Sequence, residues 1–90
     1  YAGAIYHIIS RGNEKRIIFI DEWDYKKFLL KMEELIIKYE IDVYAYCLMK
    51  NHFHLLAKTR HANLSYFMKK LLGFYAVYFN KRHDRVGHLF

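Results

Sequence analysis

The sequence predicts an α+β domain whose elements follow in the order β-α-β-β-α. Two segments carry apolar residues at three- and four-residue steps, which is the spacing of one face of a helix. Three other segments are rich in β-branched and aromatic residues and are bounded by polar or turn-forming residues, as strands are. The 90 residues, 54% of them hydrophobic, suffice for one small domain. We therefore treat residues 1–90 as a single domain.

The first predicted strand covers Ala4–Arg11 and is closed by the turn-forming pair Gly12-Asn13. A short apolar run follows at Ile17–Ile20, and we interpret it as an extension of this strand region. The N-terminal part of the chain is thus expected to supply one strand of a sheet.

The first predicted helix starts after Asp21, whose side chain can cap the free N–H groups of the first turn. Two further acids, Glu22 and Asp24, suit the partial positive charge at that helix end. The helix is expected to end near Tyr39. Its apolar stripe comprises Tyr25, Phe28, Leu29, Met32, Leu35, Ile36 and Tyr39. The helix accounts for the acidic segment, to which we assign no functional role.

A β-hairpin is predicted next, with strands at Ile41–Leu48 and His52–Lys58 joined by residues 49–51. No Asn-Gly pair occurs in the connection, so the turn type stays open.

The second predicted helix begins after a cap at Asn63 and continues to about Arg82. Gly73 costs about 1 kcal/mol there relative to Ala, and we interpret it as a sign of close packing against another backbone. The tail from His83 shows no closing strand, so we expect the fold to be incomplete at its C-terminal end. The apolar stripe of this helix comprises Leu64, Phe67, Met68, Leu71, Leu72, Tyr75, Tyr78 and Phe79.

The composition excludes several classes of protein. A single Cys rules out a disulfide framework and a four-Cys zinc module. No apolar run reaches the roughly 18 residues of a spanning helix, and no signal region precedes the first strand, so we expect an intracellular, cytoplasmic protein without a membrane partner. The net charge is +6. Residues 21–42 hold seven acids and four lysines, so the rest carries +9. Such segregated positive charge favours a polyanionic partner, the alternative being a merely soluble basic domain.

His52 and His54 are the most informative pair of residues. On a strand they point to one face with Cα atoms roughly 6.5–7 Å apart, while Phe53 and Leu55 point into the core. Two imidazoles at this spacing can hold one divalent cation and leave positions open for water or a phosphate oxygen, which suits Mg or Mn at least as well as Zn. The alternative is two histidines on a solvated strand face.

The remaining candidates carry less weight. No acid lies between Asp42 and Asp84, which argues against a carboxylate-rich two-metal site. Cys47 is expected to be a buried small hydrophobe. Tyr66 lies off the apolar stripe and could stack on a base, whereas packing is the expected role of the other helical tyrosines. For the other histidines we expect a core or surface role for His7 and solvent exposure for His61, His83 and His88.

The ordered motifs of the chain resemble the HUH single-tyrosine transposases, in particular those associated with repetitive extragenic palindromes. The match covers essentially the whole sequence. It rests on YHIISRGN at 6–13, IFID at 18–21, AYCLMKNHFHLL at 45–56, MKK at 68–70 and YFN at 78–80. The resemblance implies a ferredoxin-like domain with two helices on one face of an antiparallel sheet. It further implies a homodimer that acts on single-stranded DNA near a hairpin.

The resemblance also implies the chemistry. His52 and His54 match the two histidines that bind Mg or Mn with the scissile phosphate, and a Tyr attacks to give a 5′-phosphotyrosine. In the family this Tyr lies on a further helix, with a polar metal ligand one turn later. Tyr75 is followed by Phe79 and Tyr78 by Arg82 at that spacing. We therefore expect the nucleophile beyond Phe90 and predict that residues 1–90 alone do not cleave DNA.

Position in the sequence suggests which residues contact DNA. Arg11 and Lys50 are predicted to contact phosphates near the metal. Five further residues are predicted along the hairpin backbone, namely Lys69, Lys70, Lys81, Arg82 and Arg85. Two alternatives are a nucleic-acid-binding module without chemistry and a degraded remnant of a transposase.

Overall fold

A computed structural model describes residues 2–90 and confirms the predicted order of elements. The elements are β1 (Ile5–Arg11), α1 (Glu22–Lys38), β2 (Ile41–Met49), β3 (His52–Thr59) and α2 (Leu64–Arg82). A 3₁₀ turn at Asn13–Lys15 follows β1. The three strands form one antiparallel sheet in the order β1-β3-β2.

The two helices cover one face of the sheet and leave the other face open. The central strand β3 sends Phe53, Leu55 and Ala57 into the core, and all three are 0% exposed. Phe28 of α1 meets Phe53 with ring centroids 4.9 Å apart. Both predicted apolar stripes are confirmed, since every member is buried or packed against the core. We call the uncovered side the open face; it carries the alternate residues of β3, namely His52, His54, Leu56 and Lys58.

The start of α1 is capped as predicted. The Asp21 carboxylate accepts hydrogen bonds from the backbone N–H groups of Trp23 and Asp24, at 3.1 and 3.3 Å. At α2 the predicted cap residue, Asn63, does occupy the N-cap position, but its side chain makes no capping hydrogen bond. Asn63 Nδ2 donates instead to the Tyr39 carbonyl at 3.0 Å, which ties the start of α2 to the end of α1.

Two further expectations from the sequence were wrong. Residues 17–20 do not extend a strand; Ile18 and Phe19 are buried, and their N–H groups both donate to the Lys50 carbonyl. Gly73 does not mark close packing, because a Cβ atom there would meet nothing within 4 Å. The chain uses the 17–20 segment to fill the core from the side rather than to widen the sheet.

Residues 83–90 form no further strand, and they pack back onto the domain. Leu89 is 1% exposed and its carbonyl accepts from the Asn13 N–H at 2.7 Å. The Phe90 ring lies 6.3 Å from that of Phe53. Neither helix of the described residues 2–90 has the length and apolarity that crossing a membrane requires.

Candidate metal centre

The open face brings three imidazoles together at one end of the sheet. His52 and His54 share this face, as predicted, and their ring centroids are 5.1 Å apart. His7 of β1 joins them; its ring lies 5.4 Å from that of His54 and nearly parallel to it. The register places Arg11 directly opposite His52. The site therefore consists of a histidine pair, a third histidine against His54, and Arg11 at the strand position opposite His52.

Hydrogen bonds occupy one nitrogen of each ring in the pair. His52 Nδ1 lies 2.8 Å from Asn51 Oδ1, and because an amide oxygen only accepts, this Nδ1 carries the proton. His54 Nδ1 lies 3.2 Å from His7 Nε2. Both Nε2 atoms of the pair are left outside these hydrogen bonds. Neutral imidazoles with an available Nε2 are the form in which histidine binds metals.

Electrostatics also favour the neutral form of His54. Desolvation is the largest cause that lowers the pKa of His54 below its ordinary value. The neighbouring charges of His52, His7 and Arg11 lower this pKa further. These effects favour the neutral form of His54, which is the form in which an imidazole can coordinate a cation.

The donor set fits an open metal site rather than a closed one. Among residues 2–90, no group of three or more His, Cys, Asp or Glu side chains is arranged to hold a metal ion. Two imidazoles alone leave most of a coordination sphere to water or to oxygens of a bound anion. Such a site suits Mg or Mn completed by phosphate oxygens.

A buried ionic cluster lies on the opposite, helical side of the sheet. Asp24 is 0% exposed and its carboxylate accepts hydrogen bonds from four groups. The donors are the Ile20 N–H, Tyr78 Oη, Arg82 Nη1 and His83 Nε2, at 2.9, 3.0, 2.8 and 2.8 Å. This cluster ties the start of α1 to the end of α2.

Comparison with known proteins agrees with this architecture. The family described as "Transposase IS200 like" matches residues 1–90. The chain belongs to this IS200-like transposase family. A crystal structure at 1.90 Å resolution of a protein from Deinococcus radiodurans R1, provisionally assigned as a transposase, has the same fold, with a TM-score of 0.69 and 19% identity. The match covers 93% of this chain and 65% of that one, so the chain spans less than two thirds of its neighbour's length. Comparison with curated proteins gives no significant match.

Several basic residues of this IS200-like chain are exposed at the predicted DNA positions. Arg11 lies at the His52 end of the open face, and Lys50 is exposed in the turn between β2 and β3. Lys69, Lys70 and Lys81 are exposed on α2, in the helical layer. Arg85 is exposed after α2, over the ring of Phe79 at 5.9 Å. The predicted DNA contacts thus fall into a group near the histidines and a group on the helical layer.

Arg82 differs from the other predicted DNA contacts. Its guanidinium binds both carboxylate oxygens of Asp21, at 2.6 and 2.8 Å, and also contacts Asp24. The structure therefore gives Arg82 a role within the protein, and its contact with DNA stays a prediction.

The two tyrosines of the α2 stripe are placed as core residues. Tyr75 is 0% exposed and its hydroxyl donates to the Ile18 carbonyl; burial strongly raises its pKa. The Tyr78 hydroxyl donates to Asp24, and burial is the largest cause that raises its pKa. Both hydroxyls bond to groups on the helical side, away from the open face. Tyr66 is 49% exposed, with Lys70 Nζ 5.2 Å from its ring, as expected of a residue off the stripe.

Two expectations about site residues in this family member were wrong. Cys47 is exposed rather than buried, because a bulge between Val43 and Ala45 reverses the alternation of β2 and turns Cys47 to the open face opposite His54. His83 is not solvent-exposed; its side chain is 15% exposed and bound to Asp24.

The remaining histidines follow the sequence more closely. His61 is exposed, as expected, and pairs with Glu40 at 3.1 Å. His88 is exposed as well. His7 is on the surface, which the sequence allowed, but its contact with His54 was missed. Strand alternation is the signal that could have found it, once the register of β1 against β3 was known.

Proposed function

We propose that this chain provides the metal site and DNA contacts of a transposase that cuts and rejoins single-stranded DNA beside a hairpin. The observation that carries the proposal is the histidine pair on the open face, with both Nε2 atoms outside the internal hydrogen bonds and Arg11 alongside. Family membership supports a DNA-processing role. The basic surface supports a polyanionic substrate.

In this proposal His52 and His54 hold Mg or Mn, and Arg11 and Lys50 bind phosphates of the strand around it. The bound cation would withdraw charge from the scissile phosphate and so assist attack at phosphorus. A Tyr oxygen forms a bond to phosphorus while the bond to the DNA 3′-oxygen breaks, leaving a 5′-phosphotyrosine and a free 3′-hydroxyl. A later 3′-hydroxyl reverses this exchange, so no external energy source is needed. By resemblance to the family, we also propose that the protein works as a homodimer.

Metal-dependent DNA binding separates this proposal from a nucleic-acid module without chemistry. Mn is expected to raise the affinity for a hairpin with a single-stranded flank in the wild type, and not in His52→Ala/His54→Ala. Affinity in EDTA is expected to be equal for both proteins, because the basic residues remain. Fluorescence anisotropy measures each affinity. An equal response of both proteins to Mn would favour the module.

The nucleophile is proposed to lie outside residues 1–90. The hydroxyls of Tyr75 and Tyr78 bond to Ile18 and Asp24 on the helical side, which supports this view. The 90-residue chain is therefore expected to show no Mn-dependent nicking of single-stranded DNA on a denaturing gel. Nicking that disappears in Tyr75→Phe or Tyr78→Phe would show that the nucleophile lies within the chain.

The exposed lysines of α2 are proposed to track the hairpin backbone. Replacing Lys69 and Lys70 by Ala should reduce the slope of log affinity against log salt by about 1.4 to 1.8, because each phosphate contact contributes about 0.7 to 0.9 to that slope through counterion release. Lys26→Ala/Lys31→Ala is the matched control. These lysines are already paired with Glu22 and Glu34, at 2.8 and 2.5 Å. An unchanged slope in the Lys69/Lys70 variant would remove both residues from the DNA-binding surface.

A further inference from the structure

We propose that His7 is a positioning residue for His54: its Nε2 accepts a hydrogen bond from the Nδ1–H of His54, so that the lone pair of His54 lies on Nε2 and is free for the cation. The inference rests on the proposed metal site and adds a residue from a different strand. Its basis is the 3.2 Å separation of His7 Nε2 and His54 Nδ1 on the open face.

A hydrogen bond between these two nitrogens needs one proton and one lone pair, so two arrangements exist. If His7 donates, neutral His54 carries its proton on Nε2 and cannot bind a metal through that atom. If His54 donates, its Nε2 presents a lone pair. A cation shared with His52, whose ring lies 5.1 Å away, selects the second arrangement.

His7 is unlike His52 and His54 in what its nitrogens can do. The Nε2 atom of His7 already contacts His54. His7 therefore does not offer its Nε2 to a shared cation as His52 and His54 do. Within residues 2–90, its ring does not complete a three-ligand cluster with the other two. The geometry therefore favours a role through His54 over direct coordination.

His52, the other member of the pair, is held by a similar hydrogen bond. Asn51 Oδ1 accepts from His52 Nδ1 at 2.8 Å, which leaves His52 Nε2 available. Each ligand thus has its Nδ1 held by a neighbouring residue. Such outer partners fix the tautomer and the ring orientation of metal-binding histidines, and their loss typically lowers metal affinity about 10- to 100-fold.

The test compares His7→Phe, which keeps a flat ring but has no acceptor, with His7→Gln, whose amide oxygen can accept. Nitrogen-15 NMR of the metal-free proteins reports which nitrogen of His54 bears the proton, and calorimetry reports Mn affinity. In His7→Phe we expect the Nε2–H form of His54 to increase and Mn affinity to fall about 10- to 100-fold. His7→Gln should recover part of both. His61→Phe, at an exposed histidine elsewhere, should change neither.

Three results would overturn the proposal. The first is a wild-type His54 tautomer and Mn affinity in His7→Phe. The second is that His7→Phe and His7→Gln both lose Mn binding as completely as His54→Ala does. That result would mean that His7 is itself a metal ligand. The third is a fall in Mn affinity without any change of tautomer. If the wild type binds no Mn, the proposed function fails, while the tautomer measurement still decides whether His7 orients His54.

Discussion

Replacing His52 and His54 together by Ala is expected to weaken Mn binding by more than about 100-fold. Loss of an outer partner alone typically costs about 10- to 100-fold, and this variant removes both protein ligands themselves. Isothermal titration calorimetry with Mn on the metal-free protein measures the effect.

The matched control for this variant is His61→Ala/His88→Ala. It also removes two imidazoles, both of them exposed and outside the site, and is expected to bind Mn like the wild type. Circular dichroism should show the same fold in all three proteins, because His52 and His54 contribute nothing to the core. A His52→Ala/His54→Ala variant that retained wild-type Mn affinity would place the metal elsewhere.

Replacing Asp24 by Ala is expected to lower the free energy of unfolding by about 3 to 5 kcal/mol. The buried carboxylate is the shared acceptor for Arg82, His83, Tyr78 and the Ile20 N–H. Its removal leaves Tyr78, His83 and the Ile20 N–H without this acceptor, while Arg82 keeps its bonds to Asp21. The loss is large against the roughly 5 to 15 kcal/mol that stabilises a typical domain. Urea unfolding followed by circular dichroism measures the difference.

Glu22→Ala is the control for Asp24→Ala. Glu22 is one of the acids in the same helical turn, but it is exposed and forms a surface ion pair with Lys26. Its loss is expected to cost less than about 1 kcal/mol. Asp24→Asn, which keeps an acceptor oxygen, should lie between the two and serves if the Ala variant does not fold. A cost below about 1 kcal/mol for Asp24→Ala would contradict a structural role for the cluster.

The same carboxylates predict how stability depends on pH. The Arg82 side chain is the main cause that lowers the pKa of Asp21 from 3.8 to about 2, and the pKa of Asp24 is also lowered, since its hydrogen bonds outweigh the cost of burial. The unfolded chain therefore binds these protons more readily than the folded protein. The contribution of these two carboxylates to the free energy of unfolding should be lost as the pH falls from about 4 towards 2, so the protein should become less stable over that range. The loss should be smaller in Asp24→Asn.

Local patterns were enough to predict the helices, their apolar stripes and the common face of His52 and His54. Each of these depends on a spacing of two to four residues, which side-chain geometry fixes within one element. The capping of α1 by Asp21 is equally local. A large part of the fold and the central pair of the site were therefore readable from the sequence.

The features that the sequence did not predict depend on contacts between distant segments. The bulge in β2 moves Cys47 to the open face, and no residue type in that strand indicates that a bulge is present. The approach of His7 to His54 depends on the register between β1 and β3. Likewise, His83 and Asp24 are 59 residues apart and meet only when α2 packs on α1.

Electron-nuclear double resonance of Mn bound to the protein, with and without nitrogen-15 histidine, tests the central claim most directly. The metal site is expected to show couplings from the nitrogens of two imidazoles in the wild type, from one in His54→Ala and from none in His52→Ala/His54→Ala. Added single-stranded hairpin DNA should introduce a phosphorus coupling while the two nitrogens remain. Bound Mn without any histidine nitrogen coupling in the wild type would contradict the assignment of His52 and His54 as the metal site.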